Sequence, residues 1–101
     1  MNAASSHLAD GARYVHGAAL TRRTSDAVLV LPLDERASEP IMLSGTGATL
    51  WDTFAHPTSV HAAAAVLALA FATDVTDVEV AITPVIAELV AAGALAEADA
   101  R

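Results

Sequence analysis

The chain has 101 residues, of which 54 % are apolar, no cysteine, and a formal charge of −7. One domain with a core of its own is the expectation, and structural disulfides, cysteine-bound zinc and iron–sulfur clusters are excluded. All five cations are arginines (Arg13, Arg22, Arg23, Arg36 and Arg101), so residues 37–100 carry only acidic charge, which opposes contact of that half with a phosphate backbone.

Residues 1–12 lack periodicity and read as an arm. Their opening lacks the basic-then-apolar order of an export signal, so a cytoplasmic location is the expectation. Small and apolar residues over 14–21 predict a first strand, with a bend or bulge at Gly17. Arg22-Arg23-Thr24-Ser25-Asp26 is a polar turn. Residues 27–31, Ala-Val-Leu-Val-Leu, predict a buried strand ended by Pro32. Residues 34–38 form a charged loop, and Pro40 opens a third strand, Ile41-Met42-Leu43. Three strands joined by short loops predict an antiparallel meander.

Helix signals follow. Ser44 and Thr46 are alternative N-caps of a first helix reaching Phe54, with Leu50, Trp51 and Phe54 as its apolar face and His56-Pro57 as its stop. Trp51 reads as a core anchor. Thr58 or Ser59 caps a second helix with Val60, Ala64, Leu67 and Phe71 at helical spacing, broken at Thr73-Asp74. Thr76-Asp77-Val78-Glu79 has the form of a capping box. The third helix then carries Val78, Ile82, Val85 and Leu89 as its core stripe and ends at Gly93, with Leu95 packing back. Pro84 falls inside that helix and implies a kink; a start near Pro84 with Thr83 as cap is the alternative.

Four fixed points recur together: the strand at 27–31; Leu43-Ser44-x-Thr46-Gly47-Ala48-x-Leu50-Trp51; the helix start Thr58-Ser59-Val60; and Glu88-Leu89-x-x-x-Gly93-Ala94-Leu95. In this order and spacing they resemble the PqqD family of peptide-binding chaperones, also called RiPP recognition elements. The resemblance covers residues 13–96, leaving 97–101 as a tail. Ser44 stands where the family commonly has Asn, and Gly93-Ala94-Leu95 where it has Gly-Leu. The resemblance implies an α+β fold: a three-stranded antiparallel sheet followed by a three-helix winged helix-turn-helix unit. It also implies a stand-alone protein that binds the leader of a ribosomally synthesised precursor peptide and presents it to a modifying enzyme. A radical SAM enzyme, a cyclodehydratase or a leader peptidase would each fit. The leader is expected to add as a strand along the third strand, beside the last helix.

The residues themselves fit that mode. Ile41, Met42, Leu43 and Ser44 offer main-chain donors and acceptors if they form an exposed edge, and strand addition draws its affinity from such bonds. On the last helix, Ile86 and Val90 lie on one shoulder of the core stripe, with Glu79 and Thr83 alongside. These eight residues are the peptide-binding candidates. Ile86 and Val90 equally fit a widened core stripe, and Glu79 a capping box.

No catalytic constellation is legible. His56 and His61 flank a proline without a carboxylate pair, and His7 and His16 lie in the arm and first strand. Ser44-Gly45-Thr46-Gly47 is not a phosphate loop in a chain without lysine. An enzyme, a metal site, a cofactor, nucleic acid and a membrane are all expected to be absent; the longest apolar run, 62–72, falls short of the roughly 18 residues a span needs. A winged-helix DNA-binding regulator is the competing reading, opposed by helices without lysine or arginine. A dimerisation or interaction module is the third, suggested by a second helix apolar nearly all round.

Overall fold

The computed structural model describes residues 11–33 and 39–98. The expected charged loop at 34–38, most of the arm and the last residues of the tail lie outside these. In chain order the elements are β1 (Arg13–His16), β2 (Ala19–Arg23), β3 (Ala27–Pro32), β4 (Ile41–Ser44), α1 (Thr46–Thr53), β5 (Thr58–Ser59), α2 (Val60–Phe71), α3 (Val75–Ala91) and β6 (Leu95–Glu97).

The expected meander is present as the antiparallel sheet β2-β3-β4. Its register pairs Thr21 with Val30, Arg22 with Leu29, Leu29 with Met42 and Val30 with Ile41. The strand expected over 14–21 is two strands in two sheets, because the chain breaks at Gly17-Ala18. There Gly17 donates its N–H to the Ala94 carbonyl at 2.8 Å. A Cβ on residue 17 would fall on the Gly93 carbonyl oxygen, so the approach of this break to the end of α3 requires glycine. β1 instead heads a second antiparallel sheet, β5-β1-β6, which the sequence did not announce. β5 has two residues and β6 three, too few for any alternation to register.

The three helices form where expected, with two caps reassigned. α1 starts at Gly45, whose φ of 57° and ψ of −125° suit glycine, and no side chain caps it; Ser44 and Thr46 do not serve. Ser59 caps α2, accepting from the Ala62 N–H at 3.0 Å. The residue expected to break that helix, Asp74, is the N-cap of α3 and accepts from Thr76 and Asp77, so the capping box based on Thr76 is not used. With Asp74 as cap the helix starts two residues earlier, and Val75 packs against the core. α3 runs unbroken through Pro84. Pro84 and Val80 both lie on the exposed side, so the carbonyl deprived of a partner faces solvent. α3 ends in a Schellman arrangement: Ala94 N–H to Leu89 carbonyl at 2.9 Å and Gly93 N–H to Val90 carbonyl at 3.0 Å.

Val28 and Val30 of β3, Leu50, Trp51 and Phe54 at α1, Ala63, Ala64 and Leu67 of α2, and Ile82, Ile86 and Leu89 of α3 make one core, closed by Tyr14, Ala94 and Leu95. Trp51 is a core residue as expected. His16, which sequence left without a role, stacks on it with ring centroids 3.7 Å apart, and its Nε2 lies 2.7 Å from the Trp51 carbonyl oxygen. Phe71 departs from expectation: it sits at the end of α2, beyond the core, and is half exposed.

The stripe of α3 is the main correction. Ile86 is 0 % exposed and Val85 37 %, the reverse of their expected placement. The buried arc is centred on Ile82, Ile86 and Leu89, roughly 40° round the helix from the expected centre at 100° per residue.

Candidate functional site

β4 stands at the end of the β2-β3-β4 sheet, paired only with β3 among the described residues. Alternation divides its side chains. Ile41 and Leu43 lie opposite buried Val30 and Val28 and pack on the core, whereas Met42 (69 % exposed) and Ser44 point outward. α1 follows directly and brings Gly47 close beneath the Leu43 side chain. A backbone anchored on one side with its other side unpaired is a template for a further strand.

The sheet has a second outer strand, β2, and the two edges differ in chemistry. β2 carries Arg22 and Arg23, charges of the kind that blunt an edge, and Arg23 is paired with Asp52 of α1. β4 reads Ile-Met-Leu-Ser, without charge or proline. Of its four residues, alternate ones direct N–H and C=O toward β3 and the others away.

The last-helix residues are not gathered as the sequence suggested. Ile86 has no exposed surface and belongs to the core, not to a shoulder. Glu79 turns toward α2, where its Oε1 lies 3.0 Å from His61 Nδ1. Thr83 is half-buried, and its hydroxyl donates to the Glu79 carbonyl at 2.6 Å. Val90 is half-buried against the core and lines a cavity of about 460 Å³ at the end of α3. Of the other lining residues, Gly17, Gly93 and Leu95 have local roles in the sequence reading, whereas Ala18, Leu33 and Ala96 carry no signal there. They come from three separate stretches of the chain, 17–18, 33 and 93–96.

The outer surface of β2-β3-β4 is apolar as well. Leu20 sits opposite Leu31, and Leu29 opposite both Arg22 and Met42 on this face; Leu20, Leu31 and Met42 are all exposed. Among the described residues no group of three His, Asp or Glu side chains is placed to hold a metal ion, and no helix is long and apolar enough to cross a membrane.

Residues 30–95 match the family model for Coenzyme PQQ synthesis protein D (PqqD). The matched span starts in β3, includes the open edge and all three helices, and ends at Leu95. No curated protein and no solved structure matches the chain.

Proposed function

We propose, since this chain belongs to the PqqD family, that it binds the leader region of a ribosomally synthesised precursor peptide by strand addition to β4 and presents it to a modifying enzyme. The observation that carries this reading is the uncharged, one-sided edge Ile41–Ser44 beside a second edge protected by arginine. The peptide bonds to the outward main-chain groups of β4, and Met42 and Ser44 flank it on the solvent side of the sheet. On the other side, Thr83 and Val90 of α3 are the residues left to meet it, with Glu79 held by His61 at the border. The chain's own part is recognition, not catalysis.

The three helices, with β1, β5 and β6 packed about them, are read as a winged helix-turn-helix unit. It does not serve DNA, because α2 and α3 contain no lysine or arginine. Presentation requires a second surface, and the outward side of α2 is suited to it. That side is uncharged, with Val66 half exposed and Leu69 86 % exposed. A radical SAM enzyme, a cyclodehydratase, a leader peptidase or a second copy of the chain would each be met there.

The test uses the synthetic leader encoded by the precursor gene next to this chain's own gene, titrated into the ¹⁵N-labelled full chain. Micromolar or tighter binding is expected, with amide shifts along Ile41–Ser44. Met42→Pro and Leu43→Pro form a matched pair, because one of the two N–H groups points to β3 and the other outward. Proline at the outward position leaves a peptide carbonyl unpaired, about 1–3 kcal/mol, so affinity falls roughly ten- to a hundredfold while the fold persists. Wild-type affinity in both variants would place the peptide elsewhere, and tight, salt-sensitive binding to duplex DNA would favour a regulator.

A further inference from the structure

Alternation sets Leu20 and Arg22 of β2, Leu29 and Leu31 of β3, and Met42 and Ser44 of β4 on the side of the sheet turned away from the core. Four of these are large apolar side chains in neighbouring rows, Leu20 opposite Leu31 and Leu29 between Arg22 and Met42. Leu20 is 60 % exposed, Leu31 38 % and Met42 69 %, with Leu29 half-buried among them. Together they offer on the order of 400 Å² of contiguous apolar surface, a size that marks an interaction site rather than scattered surface leucines. A three-stranded face also fits another sheet, since sheets stack about 10 Å apart with their strands nearly aligned.

Electrostatics narrows what can cover it. The chain carries a formal charge of −7, so two copies repel each other over most of their surface. No outward position of β2, β3 or β4 is acidic, and Arg22 is the charge among them. No described carboxylate pairs with Arg22, whereas Arg23 lies on the other side of the strand and meets Asp52. On this face a second copy therefore meets no negative charge.

A symmetric contact asks only that one patch be compatible with itself. With a two-fold axis along β3, β2 of one copy lies over β4 of the other. Leu29 then stacks on Leu29 and Leu31 on Leu31, and each Arg22 falls over the other copy's Met42. There its stem packs on apolar surface while the guanidinium reaches water at the rim, so no charge is buried unpaired. The two Arg22 side chains stand on opposite margins of the contact.

We propose that this face joins two copies of the chain, packed sheet on sheet in a symmetric dimer. With its rim included the contact buries about 1,000 Å² in total, the least a specific interface needs and far below an obligate one, so the dimer dissociates with a Kd on the order of tens of micromolar. Face packing leaves both β4 edges and the outward sides of both α2 helices open, so each copy keeps the peptide and enzyme contacts proposed above.

Sedimentation velocity of the full chain from about 1 to 300 µM tests this without any peptide, so its outcome is independent of strand addition. The average mass should rise with concentration toward twice that of the monomer. Leu31→Glu sets two carboxylates against each other at the axis and should weaken association at least tenfold, as should Leu20→Glu; both positions are exposed, and a retained melting transition verifies folding. Leu31→Lys alone should fail in the same way, and mixing it with Leu31→Glu should restore the dimer, a rescue that requires residue 31 to face its own copy. Leu69→Glu, on the exposed side of α2, should change nothing. A chain that stays monomeric throughout overturns the proposal and leaves the face to a different protein. A dimer that Leu69→Glu dissolves and Leu31→Glu does not is joined through α2, and one that a bound leader dissociates is paired edge to edge through β4; either result overturns the assignment.

Discussion

Truncation of Ile86 separates a core residue from a groove residue more sharply than any other change in the last helix. Its side chain is completely buried, among Ile82, Leu89 and the rest of the core. Ile→Ala removes its transfer free energy and leaves a cavity that close-packed neighbours only partly fill, for about 3–4 kcal/mol at full burial. Against a total stability of roughly 5–15 kcal/mol this is a large fraction, and in a domain of this size it lowers the melting temperature by about 12–32 °C. Val85, 37 % exposed on the same helix, is the control. Val85→Ala gives up part of the covered surface but gains helix propensity, so the net loss stays within about 1 kcal/mol. Urea denaturation followed by circular dichroism measures both, and an unchanged slope with denaturant shows that the same surface is being exposed. A Val85→Ala loss equal to or larger than that of Ile86→Ala would restore the stripe centred on Val78 and Val85 and refute the packing described above. A residual loss of peptide affinity in Ile86→Val, a change of only about 0.5–1.5 kcal/mol in stability, would return Ile86 to the groove.

Two glycines should respond to alanine with opposite signs. Gly17→Ala drives a methyl group against the Gly93 carbonyl and disturbs the Gly17–Ala94 bond, for a loss of about 2–4 kcal/mol. Gly47→Ala meets only the Leu43 side chain at 3.5 Å within a helix and should stabilise by about 0.5–1 kcal/mol; thermal melts of the two variants decide the pair. At the start of α3, Asp74→Ala should cost about 1 kcal/mol and Thr76→Ala much less, because Asp74 accepts the first-turn N–H groups. Equal losses would return the cap to Thr76.

Much of the fold is legible where a residue acts through its immediate neighbours in the chain. The β-branched run at 27–31, Pro32 after it, the Ser59 cap and the Gly93 terminator each specify local backbone geometry. They predict a meander and three helices close to where these stand. The candidate edge was legible for the same reason, since a short apolar segment after Pro40 and before a helix is the last strand in order, and the last strand of a meander is an edge. That the other edge carries Arg22 and Arg23 was also written in the sequence, but its meaning required knowing that β2 is an edge at all.

Where several solutions were locally equivalent, only tertiary structure decided among them. α3 is apolar over more than half its circumference, so periodicity fixes no unique stripe; packing against α2 and the small sheet selects Ile86 over Val85. Thr76 and Asp74 are both competent caps, and contact of Val75 with the core chooses the earlier one. The second sheet and the cavity unite residues from opposite ends of the chain, such as Tyr14 with Glu97 and Gly17 with Gly93. The sequence by itself thus determined the three-stranded meander, the three helices and which strand at its end is free of charge, but not the second sheet. Which face each segment buries, and where those faces leave a pocket, came from long-range packing, because burial is a property of neighbours in space and one helix pattern is compatible with several of them.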